Sequence, residues 1–120
     1  MGMHDMDRIG RRSVLACPDC HGVMWEIDEG ELIRYRCHVG HAYTAELMSL
    51  ALDENLSRAL ASALRALDER IALARKLGDQ ASATGRAVLA ESWTRRASEF
   101  EAEAKIIRAS IRRFEELSRK

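Results

Sequence analysis

Cys17-Pro18-Asp19-Cys20-His21-Gly22 opens the stretch that decides the fold, and Cys37-His38-Val39-Gly40-His41 closes it. Each end offers two metal-ligating side chains at short spacing, with 16 residues between Cys20 and Cys37. Two short loops of this kind can wrap one ion tetrahedrally, and zinc suits mixed thiolate and imidazole donors. The expected ligands are Cys17, Cys20, Cys37 and His41, with His38 as the alternative to His41. His38 directly follows Cys37, and adjacent residues rarely reach one ion from a tight loop. His41 follows Gly40 and has room to turn back. Gly22 and Gly40 are expected to let the backbone bend so that N–H groups face the sulfurs and offset thiolate charge. Arg34 and Arg36 are placed to offset more of it.

Between the loops, Val23-Met24-Trp25-Glu26-Ile27 is β-prone, Asp28-Glu29-Gly30-Glu31 is a turn, and Leu32-Ile33-Arg34-Tyr35-Arg36 is a second strand. The expectation is a zinc-ribbon-like β-hairpin module over residues 17–43. Trp25, Tyr35 and Tyr43 are expected to pack over the metal site as its small core. Residues 1–16 are polar, carry Arg8, Arg11 and Arg12, and read as a flexible arm.

Beyond the module, residues 44–120 read as a long antiparallel helical hairpin, so the chain is mainly α. Thr44 is the expected N-cap of a helix from about 45 to at least 77. Leu60, Leu64, Leu67, Ile71 and Ala74 repeat at spacings of 4, 3, 4 and 3. Trp93, Ala97, Phe100, Ala104, Ile107, Ile111 and Phe114 repeat the pattern in a second helix from about 86 to 117. Gly78 and Gly85 bracket the segment where the chain is expected to reverse. Two such seams on a short connection describe a hairpin, and its apolar side invites a protein partner or self-association.

Composition agrees with this reading. Among 120 residues, 18 are Ala, which costs least to hold in a helix, and Pro occurs once. The chain has 19 basic and 19 acidic residues, without the basic excess of a nucleic-acid binder. The pairs Arg75-Lys76, Arg95-Arg96 and Arg112-Arg113 lie among acids and read as a solvated face. A zinc-ribbon nucleic-acid module using Trp25, Arg34 and Arg36 is the alternative function. No apolar run approaches the length of a membrane span, and residues 1–12 lack the hydrophobic segment of a signal peptide, so a soluble cytoplasmic protein is expected. Three cysteines cannot form a closed disulfide set. Neither HExxH nor the deaminase pattern occurs, and four protein ligands close a zinc shell, so the expected site is structural and the chain not an enzyme.

Three stretches also carry a family likeness: Met6-Asp-Arg-Ile-Gly-Arg-Arg-Ser13, Cys17-Pro-Asp-Cys-His-Gly-Val-Met-Trp-Glu-Ile27 and Arg34-Tyr-Arg-Cys-His-Val-Gly-His-Ala-Tyr43. Together they resemble a C-terminal extension found on a subset of bacterial chemotaxis-type protein-glutamate methylesterases, and Ala63-Leu-Arg-Ala-Leu-Asp-Glu-Arg70 resembles its helical part. The likeness spans about Met6 to Leu117. It implies the same metal ligands, Cys17, Cys20, Cys37 and His41, and a place in chemosensory signalling. The family's catalytic domain uses a Ser, His and Asp set to remove methyl groups from receptor glutamates. Nothing in this sequence matches that domain, so no catalytic residue carries over.

Overall fold

The structure, a computed structural model, describes residues 2–119. The chain divides into two compact units, Met1–Asn55 and Leu56–Lys120.

In the first unit, α1 (Met3–Ile9) leads into β1 (Arg11–Ala16), followed by β2 (Val23–Glu29), β3 (Leu32–Cys37), β4 (Ala42–Thr44) and the start of α2 (Ala45–Ala83). The four strands form an antiparallel sheet in the order β1-β2-β3-β4. The expected two-stranded hairpin is its centre: Met24 pairs with Cys37, Glu26 with Tyr35 and Glu29 with Leu32. Residues 1–16 correct the expected flexible arm, because α1 and β1 extend the sheet by one strand and cover it. The signal for this was thin. Met6 is the single fully buried side chain of α1, and β1 reads as two arginines and a serine before any apolar residue.

Adjacent strand residues point to opposite faces, so Met24 and Trp25 face opposite ways. Both are fully buried, which requires cover on each side. On the Met24 face, Cys17, Cys37 and Met48 form the core cluster, with Leu15, Tyr35 and Tyr43 packed against it. Met48 comes from the first turn of α2, where the Thr44 hydroxyl accepts the N–H of Leu47 at 3.2 Å and caps the helix as expected. On the other face, the Trp25 indole donates to Asp7 of α1 at 2.8 Å, and the Arg12 guanidinium lies 5.6 Å from the ring centroid. Arg12 also donates to both Asp7 oxygens, at 2.9 and 3.0 Å. Those bonds, the Arg12 one first and the indole second, hold the Asp7 carboxyl below the usual carboxylate range. Trp25 is thus a core residue, but on the face opposite the one expected for it.

β1 pairs with β2 through a register shift between Arg12 and Ala16. Ser13 bridges the irregularity, donating to the Met24 carbonyl at 2.7 Å and accepting from the Leu15 N–H at 3.1 Å. Gly10 lets α1 join this sheet. A Cβ there would sit 2.4 Å from the Glu26 carbonyl oxygen, so no larger residue fits without moving backbone.

In the second unit, the later part of α2 and α3 (Ala87–Arg119) form the antiparallel hairpin. Asp68 accepts from Arg108 at 3.0 Å, Arg75 pairs with Glu101, and Arg70 stacks over Phe100 at 5.3 Å. Helix α2 runs past the expected lower bound of 77, through Gly78 to Ala83, and the reversal falls at the end of the bracketed segment. Gly85, at φ +75°, makes it: its N–H bonds to the Ser82 carbonyl and that of Arg86 to the Ala81 carbonyl, which satisfies the last carbonyls of α2. Gly78 is instead buried inside α2, where a Cβ would make ordinary contact with the Trp93 Cβ at 3.4 Å. The expected seam residues are all buried or half-buried, but only Ala74, Ala97 and Ala104 among them are fully so. Small residues let the helices approach closely and leave the larger ones partly uncovered.

Candidate metal centre

The ends of the sheet position the site. Cys17 lies immediately after β1 and Cys37 ends β3, both on the Met24 face and both fully buried. Each begins a loop that closes on itself. In the first, the His21 N–H bonds to the Cys17 carbonyl at 2.8 Å and the Cys17 N–H to the Gly22 carbonyl at 2.7 Å. In the second, the Gly40 N–H bonds to the Cys37 carbonyl at 3.1 Å and the Cys37 N–H to the His41 carbonyl at 3.0 Å. The loops therefore match when His21 is set against Gly40 and Gly22 against His41. Positive φ falls on those first partners, His21 at 63° and Gly40 at 114°. The sequence reading gave this role to Gly22, one residue too late. His is among the residue types that tolerate the left-handed region, which hides the position from a search for glycine.

The donor atoms of Cys17, Cys20, Cys37 and His41 all lie within 4.8 Å of one another. His41 Nδ1 is 3.5 Å from the Cys17 Sγ and 3.3 Å from the Cys37 Sγ. His38, the alternative ligand, is exposed and stays outside this group. Its ring lies against the first loop, 3.4 Å from where a Gly22 Cβ would be. His21 is also exposed. Cys20 is the exposed cysteine of the three.

Burial pushes the Cys37 thiol up, but the backbone N–H groups of His41, Gly40 and Val39 and the nearby Cys20 outweigh it and draw the thiol down to about 6. This is the support that loop N–H groups were expected to give. Cys20 moves the other way: the Gly22 N–H lowers it, but desolvation and the neighbouring Cys17 and Cys37 sulfurs raise it overall. Three sulfurs converging on one point explain the repulsion, and a cation among them would remove it. The Tyr43 hydroxyl donates to Asp19, which ties β4 to the first loop and pushes that phenol up to about 12. Asp19 had not stood out in the sequence, because its role depends on strand pairing.

Arg34 and Arg36 do not offset the thiolates. Arg36 pairs with Trp25 and Arg34 with Ile27, so both lie on the sheet face away from Cys37, and Arg34 pairs with Glu29 at 3.3 Å. Trp25, fully buried, offers no ring face on which a base could stack. Among the described residues no helix is long and apolar enough to cross a membrane. No protein family, curated protein sequence or solved structure compared with this chain matches it.

Proposed function

We propose that this chain is a non-catalytic interaction or regulatory module built around one structural zinc ion, acting beside protein-glutamate methylesterases in chemosensory signalling. The observation that carries the metal reading is the convergence of three thiols and one imidazole within 4.8 Å. Zinc bonds of about 2.3 Å to sulfur and about 2.0 Å to nitrogen imply S···N edges of about 3.5 Å in a tetrahedron. The His41 Nδ1 distances of 3.5 and 3.3 Å fit that edge. Two loops closing on the ends of a small antiparallel sheet support a zinc-ribbon-like description. Four protein donors fill a tetrahedral shell and leave no position for a water nucleophile, which supports a structural role. The link to methylesterases rests on the likeness of the stretches 6–13, 17–27 and 34–43.

Elemental analysis of the purified chain tests the first part. One zinc per chain is expected, lost or weakened in both Cys37→Ser and His41→Ala. No metal in fully reduced protein would defeat the reading. Hydrolysis of carboxyl methyl esters by the chain itself would defeat the non-catalytic assignment. Calorimetric titration with a methylesterase catalytic domain tests the link, which fails if no heat of binding appears at high micromolar concentration.

A further inference from the structure

The three cysteines of the candidate metal centre differ in what reaches them. Cys17 and Cys37 are fully buried, whereas Cys20 is exposed. Their sulfurs all lie within 4.8 Å of one another. A small oxidant arriving from solvent therefore meets the Cys20 sulfur first, with two further sulfurs standing behind it. Exposed thiolates are the ones open to oxidation, and a neighbouring cysteine turns the first product into a disulfide.

Of the two neighbours, Cys17 is the better placed. The His21 N–H bonds to the Cys17 carbonyl, so residues 17–21 form one turn that contains both cysteines. Residues three apart in a turn have Cα atoms within about 7 Å, and a disulfide spans Cα distances up to about 7 Å. Cys37 belongs to the other loop, where the N–H groups of His41, Gly40 and Val39 face its sulfur and hold it.

We propose that the site is a peroxide-sensitive switch, in which hydrogen peroxide joins Cys20 to Cys17 and so removes the metal. The Cys20 thiolate attacks one peroxide oxygen, the O–O bond breaks and hydroxide leaves, which gives a sulfenic acid on Cys20. The Cys17 thiolate then attacks the Cys20 sulfur. An S–S bond forms, the S–O bond breaks and a second hydroxide leaves. Two protons from solvent turn both hydroxides into water. The two sulfurs lose two electrons, and the peroxide gains them. Cys37 and His41 then remain as donors, half of the four that a structural zinc site uses. With three cysteines in the sequence, Cys37 stays a thiol, and the product is one disulfide inside the first loop, which an added dithiol reverses. The inference rests on the structural-zinc reading above and adds the regulation of that site.

Excess hydrogen peroxide added to the full zinc-loaded chain tests it, with zinc content measured beforehand. The unsubstituted chain is used, because replacing a ligand would remove the metal by itself. Three results are expected: loss of all bound zinc to a chromophoric indicator, a Cys17–Cys20 disulfide by mass spectrometry, and recovery of zinc binding after a dithiol and zinc are added. Trypsin separates the alternatives, since Cys17 and Cys20 share the peptide 13–34 and Cys37 lies outside it. Zinc that stays bound in excess peroxide overturns the proposal and leaves the structural-zinc reading intact. So does a Cys20–Cys37 disulfide, or a sulfinic acid on Cys20 with no disulfide. A chain that holds no zinc before peroxide is added defeats the structural-zinc reading itself, and this proposal with it.

Discussion

In the first unit the sealed side chains are Met6, Cys17, Met24, Trp25, Cys37 and Met48; in the second they are Ala74, Ala81, Ala97 and Ala104. The sheet concentrates its burial in a few large or sulfur-bearing residues on two faces. The hairpin spreads its burial over small contacts along two long helices. The sheet core is thus too small to rest on apolar burial alone, and two of its members are themselves donor atoms of the candidate metal site. The hairpin has no such point of failure, but it leaves its largest side chains half-covered. A metal ion at the candidate site would give the short sheet one strong crosslink, whereas a helical pair gains order from length and from what packs against it.

Removing the metal should separate the two regions most. Apparent binding free energies of structural zinc sites are about 10–16 kcal/mol. Chelation, or Cys37→Ser, should unfold the sheet and abolish the near-ultraviolet signal of Trp25, while most ellipticity at the helix minimum survives. Equal loss of both signals would break the distinction. Acid should act on the same region. The folded Cys37 thiol lies below its ordinary 9.0, at about 6. Its contribution is therefore complete above 9.0 and is lost as the pH falls through about 6. Metal release followed with a chromophoric indicator should begin at or below that point, with the hairpin still helical. Release that starts well above neutrality would contradict the role given to the loop N–H groups.

Two glycine substitutions sharpen the contrast because they should have opposite signs. Gly10→Ala forces a Cβ against the Glu26 carbonyl oxygen at 2.4 Å and should destabilise the sheet by about 1–3 kcal/mol. Gly78→Ala meets only ordinary contact at 3.4 Å and should stabilise the hairpin by about 0.5–1 kcal/mol through helix propensity. Denaturant titrations that read each unit separately decide both, and matching signs would mean that packing does not distinguish the regions in this way. The smallest effect is expected at His21, whose φ of 63° favours glycine. His21→Gly should raise the melting temperature of the metal-bound sheet slightly, a gain of about 1 kcal/mol or less. A lower melting temperature would show that the His21 side chain makes a contact worth more than its strain.

The converging Cys17, Cys20, Cys37 and His41 and the hairpin were legible in the sequence for the same reason: each is written as a spacing. Cysteines three apart, a His four beyond Cys37, and apolar residues every three or four positions survive without knowledge of the fold. What escaped is written only in pairing. β1 was hidden because Arg11 and Arg12 look like a solvated arm until Arg11 meets Glu26 and Asp28 at 2.7 and 3.2 Å and Arg12 meets Asp7. The face of Trp25 depended on α1 reaching it. The left-handed turn at His21 carried no glycine to announce it. For α2 the sequence set only a lower bound, at least 77, because Gly78 usually weakens a helix; the helix runs on through it to Ala83.

The irregular register of β1 has a consequence for how this protein survives at high concentration. A sheet with a straight, unprotected border is a template on which further chains can stack into fibrils. Here one border carries a bulge, with Val14 turned fully to solvent between Ser13 and Leu15. The opposite border is a strand of only three residues, Ala42–Thr44. Neither offers a long flat row of free N–H and C=O groups. The growth of the sheet is terminated on one side by backbone irregularity and the charges of Arg11 and Arg12, and on the other by the shortness of β4.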